Sequence, residues 1–123
     1  MNDLYEHEML STPTEEPVFL DAQQQLEIKN NDEKNELNTQ ISEFSKKGYQ
    51  LLKENDIKGA KEAFNQILKL EDNNNYALVG LGDSERKQNH FNEAIKYYST
   101  CLEFHPGNNY ALFGLADCYK ALN

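Results

Sequence analysis

The chain has 123 residues, too few for two independent cores, and nearly all of its net charge of −9 sits in its first third. Residues 1–40 hold ten Asp/Glu against two Lys, while residues 41–123 hold eleven against ten Lys/Arg, so an acidic arm precedes an almost neutral body. Such an arm repels phosphates, which speaks against nucleic acid and anionic lipid as partners. No stretch reaches the ~20 apolar residues of a membrane span, and the opening residues lack the basic and apolar regions of a secretory signal.

In chain order, Ser11–Pro17 is polar, holds two of the three prolines and reads as extended or irregular. Asp21 is placed to cap a short helix through Ile28, and Asn31 or Asp32 to cap a second one. Leu37, Ile41 and Phe44 keep one apolar face along that second helix, so it begins ahead of residue 41. The arm is therefore expected over 1–32, partly disordered, with the folded body over 33–123.

The body repeats itself. Asn74-Asn75-Tyr76-Ala77-Leu78-Val79-Gly80-Leu81-Gly82-Asp83 returns as Asn108-Asn109-Tyr110-Ala111-Leu112-Phe113-Gly114-Leu115-Ala116-Asp117, eight of ten positions identical at an offset of 34. That period with helical apolar spacing means stacked helical hairpins, an all-α fold, over units 41–74, 75–108 and a partial 109–123. Phe91, Ala94, Ile95, Tyr98, Cys101 and Leu102 form the stripe of one second helix; Ile57, Ala60, Phe64, Ile67 and Leu68 form the other. Gly48 pairs by position with Ala60, and Gly82 with Ala94, which lets each hairpin close. Asn55, Asn89 and Asn123 fall where the first helices end, and Asn tolerates the left-handed conformation required there. Pro106 ends the second hairpin. Cys101 and Cys118 take small-residue positions and read as reduced thiols, which suits a cytoplasmic location.

These residues resemble the tetratricopeptide repeat, a 34-residue helix–turn–helix unit. Its preferred positions map in the second unit onto Leu78, Leu81, Gly82, Glu85, Ala94, Tyr98, Cys101 and Pro106, all fitting except Glu85. In the first unit they map onto Phe44, Lys47, Gly48, Leu51, Ala60, Phe64, Ile67 and Asp72, where Lys47 and Asp72 depart. Lys47 lays its stem on apolar surface with its ammonium in water, and Glu85 is expected as a partly exposed carboxylate near a lysine.

The resemblance implies a right-handed stack of hairpins, two full repeats plus the first helix of a third, whose first helices line a groove for a peptide or helix of another protein. Its groove positions here are Ser42, Ser45, Lys46 and Tyr49; then Tyr76, Val79, Gly80, Asp83 and Arg86; then Tyr110, Phe113, Gly114, Asp117 and Lys120. The tyrosines offer flat amphipathic surfaces and the aspartates acceptors. A helical Gly costs roughly 1 kcal/mol against Ala, so Gly80 and Gly114 either keep the groove bare or ease packing. Relatives that clamp the acidic C-terminus of heat-shock chaperones use Lys, Asn and Arg where this chain has Ser45, Tyr49, Gly80, Tyr110 and Gly114, so that target is excluded.

Nothing points to an enzyme. His7, His90 and His105 have no metal-ligand spacing with the cysteines, and Gly80 and Gly82 lie inside a helix, so neither metal nor cofactor is implied. The helix of the third unit, with Leu112, Phe113, Leu115, Cys118, Tyr119 and Leu122, is too apolar for an end cap. A following helix of a longer array, a second copy in a homo-oligomer, or the arm is expected to cover it.

Overall fold

The computed structural model describes residues 19–123, so Ser11–Pro17 and the rest of the chain through residue 18 lie outside the described residues. Among the described residues five helices follow in order: α1 Ala22–Lys53, α2 Ile57–Leu70, α3 Asn75–Lys87, α4 Phe91–Phe104 and α5 Asn109–Leu122. No strand occurs among the described residues. Two compact units divide the chain between Glu33 and Lys34.

Asp21 caps α1 reciprocally. Its carboxylate accepts from the Gln24 backbone N–H at 2.7 Å, while the Gln24 side chain accepts from the Asp21 N–H at 3.1 Å, a capping box. The two helices expected on either side of Asn31 are one helix of 32 residues. Neither Gly nor Pro stands between Asp21 and Gly48, and Asn or Asp inside a running helix costs only about 0.7 kcal/mol, too little to open a second nucleus.

From Lys34 onward the chain forms two hairpins and a single helix. α1 and α2 make the first hairpin, with Ile41 and Leu52 in one core cluster with Ala60 and Phe64 and with Tyr49 edge-on to Phe64; α3 and α4 make the second, and α3 packs against α2, α4 and α5. Each hairpin turns the same way. The Asp56 N–H donates to the Leu51 carbonyl at 2.8 Å and Asn55 N–H to Leu52 at 3.0 Å; His90 donates to Glu85 and Asn89 to Arg86, both at 2.9 Å. This paired closure needs a left-handed residue after the helix, and Asn55 (φ 66°) and Asn89 (φ 63°) supply it. Asn73, between the hairpins, also has a positive φ of 59°, and its carbonyl meets the His105 Nε2 at 2.8 Å. Asp56, Asn74 and Asn108 then cap the following helices by accepting from Gly59, Ala77 and Ala111 N–H groups.

The core turns on two aromatic rings. Phe64 and Tyr98, one per second helix, are fully buried. A Cβ placed on Gly48 or on Gly80 would fall under 3.0 Å from Phe64 ring carbons, and one on Gly82 or Gly114 would meet Tyr98 the same way. Each ring is therefore held between a glycine of its own hairpin and a glycine of the next repeat. At Gly48 and Gly82 the nearest neighbours are these rings, and Ala60 and Ala94 are buried in the same core clusters. Gly80 and Gly114 are buried as well, so packing accounts for both glycines and neither keeps the groove surface bare.

Two other expectations change. Glu85 is 8% exposed rather than partly open, its Oε1 3.3 Å from Lys61 Nζ and 3.4 Å from His90 Nδ1. Its burial is tolerable because a cation from the preceding repeat neutralises it. Cys118 is fully buried in the second core cluster beside Tyr98, not on the outer face of α5; both cysteines are free thiols. Lys47 is exposed, as expected.

Gly80→Ala gains helix propensity but sets a methyl group into the Phe64 ring. We expect a net loss of about 1–2 kcal/mol in urea unfolding, whereas Gly107→Ala, with nothing within 4 Å, should change stability little.

Candidate functional site

The first helices of the three repeats present one face each to a shared groove. Its centre, about 500 Å³, is lined by Ser45 and Tyr49 from α1, Asn75, Tyr76, Val79 and Asp83 from α3, and Asn108 and Tyr110 at the start of α5. Tyr49, Tyr76, Val79, Asp83 and Tyr110, picked out separately from the sequence, thus meet around one space. A second opening of about 360 Å³ shares Tyr49 and Asp83 and adds Leu52, Lys53, Arg86 and Lys87. A third, about 490 Å³, shares Ser45 and Tyr76 and adds Asn38, Ile41, Ser42 and Lys46.

The tyrosines differ in how they are held. Tyr76 is 54% and Tyr110 75% exposed, free to cover a ligand. Tyr49 is half-buried and packs edge-on against Phe64, ring centroids 5.0 Å apart at 70°. Val79, only 6% exposed, is floor rather than wall. Phe113 is 66% exposed on α5 but does not line these three openings, and Gly80 and Gly114 lie beneath the surface.

The groove's aspartates are already engaged. Tyr98 enters from the core side, and its hydroxyl donates to Asp83 Oδ1 while accepting from Arg86 Nε at 3.0 Å. Arg86 also reaches Asp83 at 3.3 Å and, across the repeat boundary, Asp117 at 3.4 Å. The expected acceptors, Asp83 and Asp117, are thus members of an internal network that ties the second repeat to the third. A partner finds amphipathic rings and amides here, with acidic charge largely neutralised.

Sequence reasoning missed Tyr98, Asn75, Asn108, Lys53 and Lys87. A signal existed for the first. At the 34-residue offset, Tyr49 corresponds to Asp83 and Phe64 to Tyr98, so the hydroxyl and its acceptor appear together in one repeat and are both missing from the other. The same two positions meet in both repeats, as an aromatic edge in one and a hydrogen bond in the next.

No group of three or more His, Cys, Asp or Glu is placed to hold a metal among the described residues. No helix among them is long and apolar enough to cross a membrane.

Hairpins of constant period, each closed by the same kind of turn and opening on a common groove, define a helical-repeat protein. The tetratricopeptide repeat family model matches residues 46–99 and again 79–122, more than half of the chain. The chain belongs to the tetratricopeptide repeat family. Among solved structures it is similar to the C-terminal TPR-containing domain of a Plasmodium falciparum protein described as FK506-binding. The TM-score is 0.63 at 23% identity, over 96% of this chain and 72% of that one, which shows a shared fold. No curated protein matches. The family is in general one of non-catalytic protein–protein interaction scaffolds, and this chain carries its architecture.

Burial, then the neighbouring Asp83 carboxylate, raises the phenols of both Tyr98 and Tyr49 well above the ordinary value of 10. The folded state therefore keeps protons that the unfolded chain releases above pH 10, and stability falls as pH rises past that point. Tyr98→Phe should flatten that alkaline decline in urea titrations at successive pH values. At neutral pH it should cost about 1–2 kcal/mol, because Asp83 and Arg86 lose a shared partner.

Proposed function

We propose that this chain is a non-catalytic adaptor that binds a peptide segment of another protein in the groove of its first helices. The observation that carries this reading is the convergence of Tyr49, Tyr76 and Tyr110, one from each repeat, on a single space of about 500 Å³. Tyrosines offer large contact area at low entropic cost, and two of the three stand open. Asn75 supplies an amide donor and acceptor at the same wall, and Asn108, whose Oδ1 caps α5, an amide donor, both suited to a peptide backbone. Val79 and the half-buried Tyr49 ring give an apolar floor. The absence of a nucleophile–base pair from the sequence fits a binding role, and the two buried thiols suit the reducing cytoplasm.

The test is selection of binders to the full chain from a random peptide display library. Peptides are expected to be enriched, and their affinity to fall at least tenfold for Tyr76→Ala/Tyr110→Ala, roughly what loss of one contact residue of 1–2 kcal/mol produces. Enriched peptides indifferent to both tyrosines would remove the groove from the proposal.

A second reading, self-association through α5, is favoured by one observation. Leu112 and Tyr119 are 45% and 56% exposed, while their counterparts one repeat earlier, Leu78 and Glu85, are buried; Leu122 is 50% exposed beside them. Leu115 is only partly buried on the same helix. Light scattering over a range of concentrations decides this reading. A mass that rises with concentration and returns to the monomer in Leu112→Glu/Leu122→Glu supports it, and a monomer throughout removes it.

A further inference from the structure

Among the charged residues that line the groove of this acidic protein, cations outnumber acids. Across its three openings stand Lys46, Lys53, Arg86 and Lys87 against one carboxylate, Asp83, in a chain of net charge −9. Asp83 is moreover held by the Tyr98 hydroxyl and Arg86. The cations lie at the two ends. Lys46 is in the opening beside Tyr76, with no acid in its lining; Lys53, Arg86 and Lys87 are in the opening beyond Tyr49. Lys87 donates to the Leu52 carbonyl at 2.6 Å, and Arg86 is shared between two aspartates. Lys46 and Lys53 make no hydrogen bond or ion pair among the described residues, and both are exposed.

We infer that the groove's partner is an acidic peptide segment in which an apolar residue is flanked on both sides by side-chain carboxylates. Charge complementarity gives the class of partner, and the spacing gives the pattern. Lys46 and Lys53 are seven residues apart on one helix, close to two full turns, so they share a face about 10 Å apart. An extended peptide rises about 3.3 Å per residue and covers that span in three residues. Two Asp or Glu three or four positions apart would therefore meet both lysines, with the residues between them over Tyr49, Tyr76 and Val79. This is recognition of side chains along a segment. It rests on the groove reading above, and its test separates the two.

The full chain is used to select binders from a random peptide display library, and enriched peptides are resynthesised and titrated by fluorescence polarisation. Enriched peptides should carry the paired acids around an apolar residue. Their affinity should fall about fivefold for Lys46→Glu and again for Lys53→Glu, about fivefold for each Glu→Gln or Asp→Asn in the peptide, and with rising salt. Lys47→Glu, in the opening between α1 and α2 on the other side of α1, should leave affinity unchanged. Peptides that lose binding with Tyr76→Ala yet carry no paired acids, or that ignore both charge reversals, would overturn the acidic partner and leave the groove standing. No enriched peptide at all would overturn both. Circular dichroism of each variant shows that loss of binding is not loss of fold.

Discussion

Everything in this stack depends on how closely a first helix can approach an aromatic ring of the repeat before it. Phe64 lies between Gly48 and Gly80, and Tyr98 between Gly82 and Gly114, with no room at any of the four positions for a methyl group. The rings are rigid and fully buried, and interiors resist compression, so the ring thickness becomes the spacing between helices. A glycine inside a helix is unfavourable by about 1 kcal/mol, and four of them recur here at two fixed offsets. The close contact they permit, in dispersion and in apolar area removed from water, outweighs that cost.

The groove inherits its geometry from the same rings. Tyr49 is fixed by its edge contact with Phe64, so one groove wall is set from the core outwards. Tyr98 extends further, its hydroxyl emerging among Asp83 and Arg86. Arg86 then links to Asp117 in the third repeat, so one buried ring organises polar groups on the first helices of two successive repeats. Tyr76 and Tyr110 are left exposed on that scaffold, which is where a binding protein needs adaptable surface.

Much of this was legible in the residues. The 34-residue echo marked the hairpins and the family, and Asn55 and Asn89 marked the turns because few other side chains accept a positive φ. What the sequence hid were matters of depth and partner. Gly80 and Gly114 share a helix face with groove residues, and periodicity alone does not tell a glycine that bares a surface from one that admits a ring from below. Glu85 looked out of place until Lys61, 24 residues earlier, proved to be its partner across the repeat boundary. Cys118 shares a helix with exposed Leu112 and Tyr119, and only packing against the preceding repeat separates it from them. The continuous α1 was hidden because Asn31 and Asp32 have the chemistry of caps but lack the tertiary reason to act as ones.

The most direct test is a double-mutant cycle between Gly80→Ala and Phe64→Leu, read by urea unfolding. If the ring sets the spacing, Gly80→Ala costs stability beside Phe64 and costs little, or even stabilises, in the Phe64→Leu background. The coupling should then be about 1 kcal/mol or more. Equal costs in the two backgrounds would mean that the ring is not what holds the repeats at their distance.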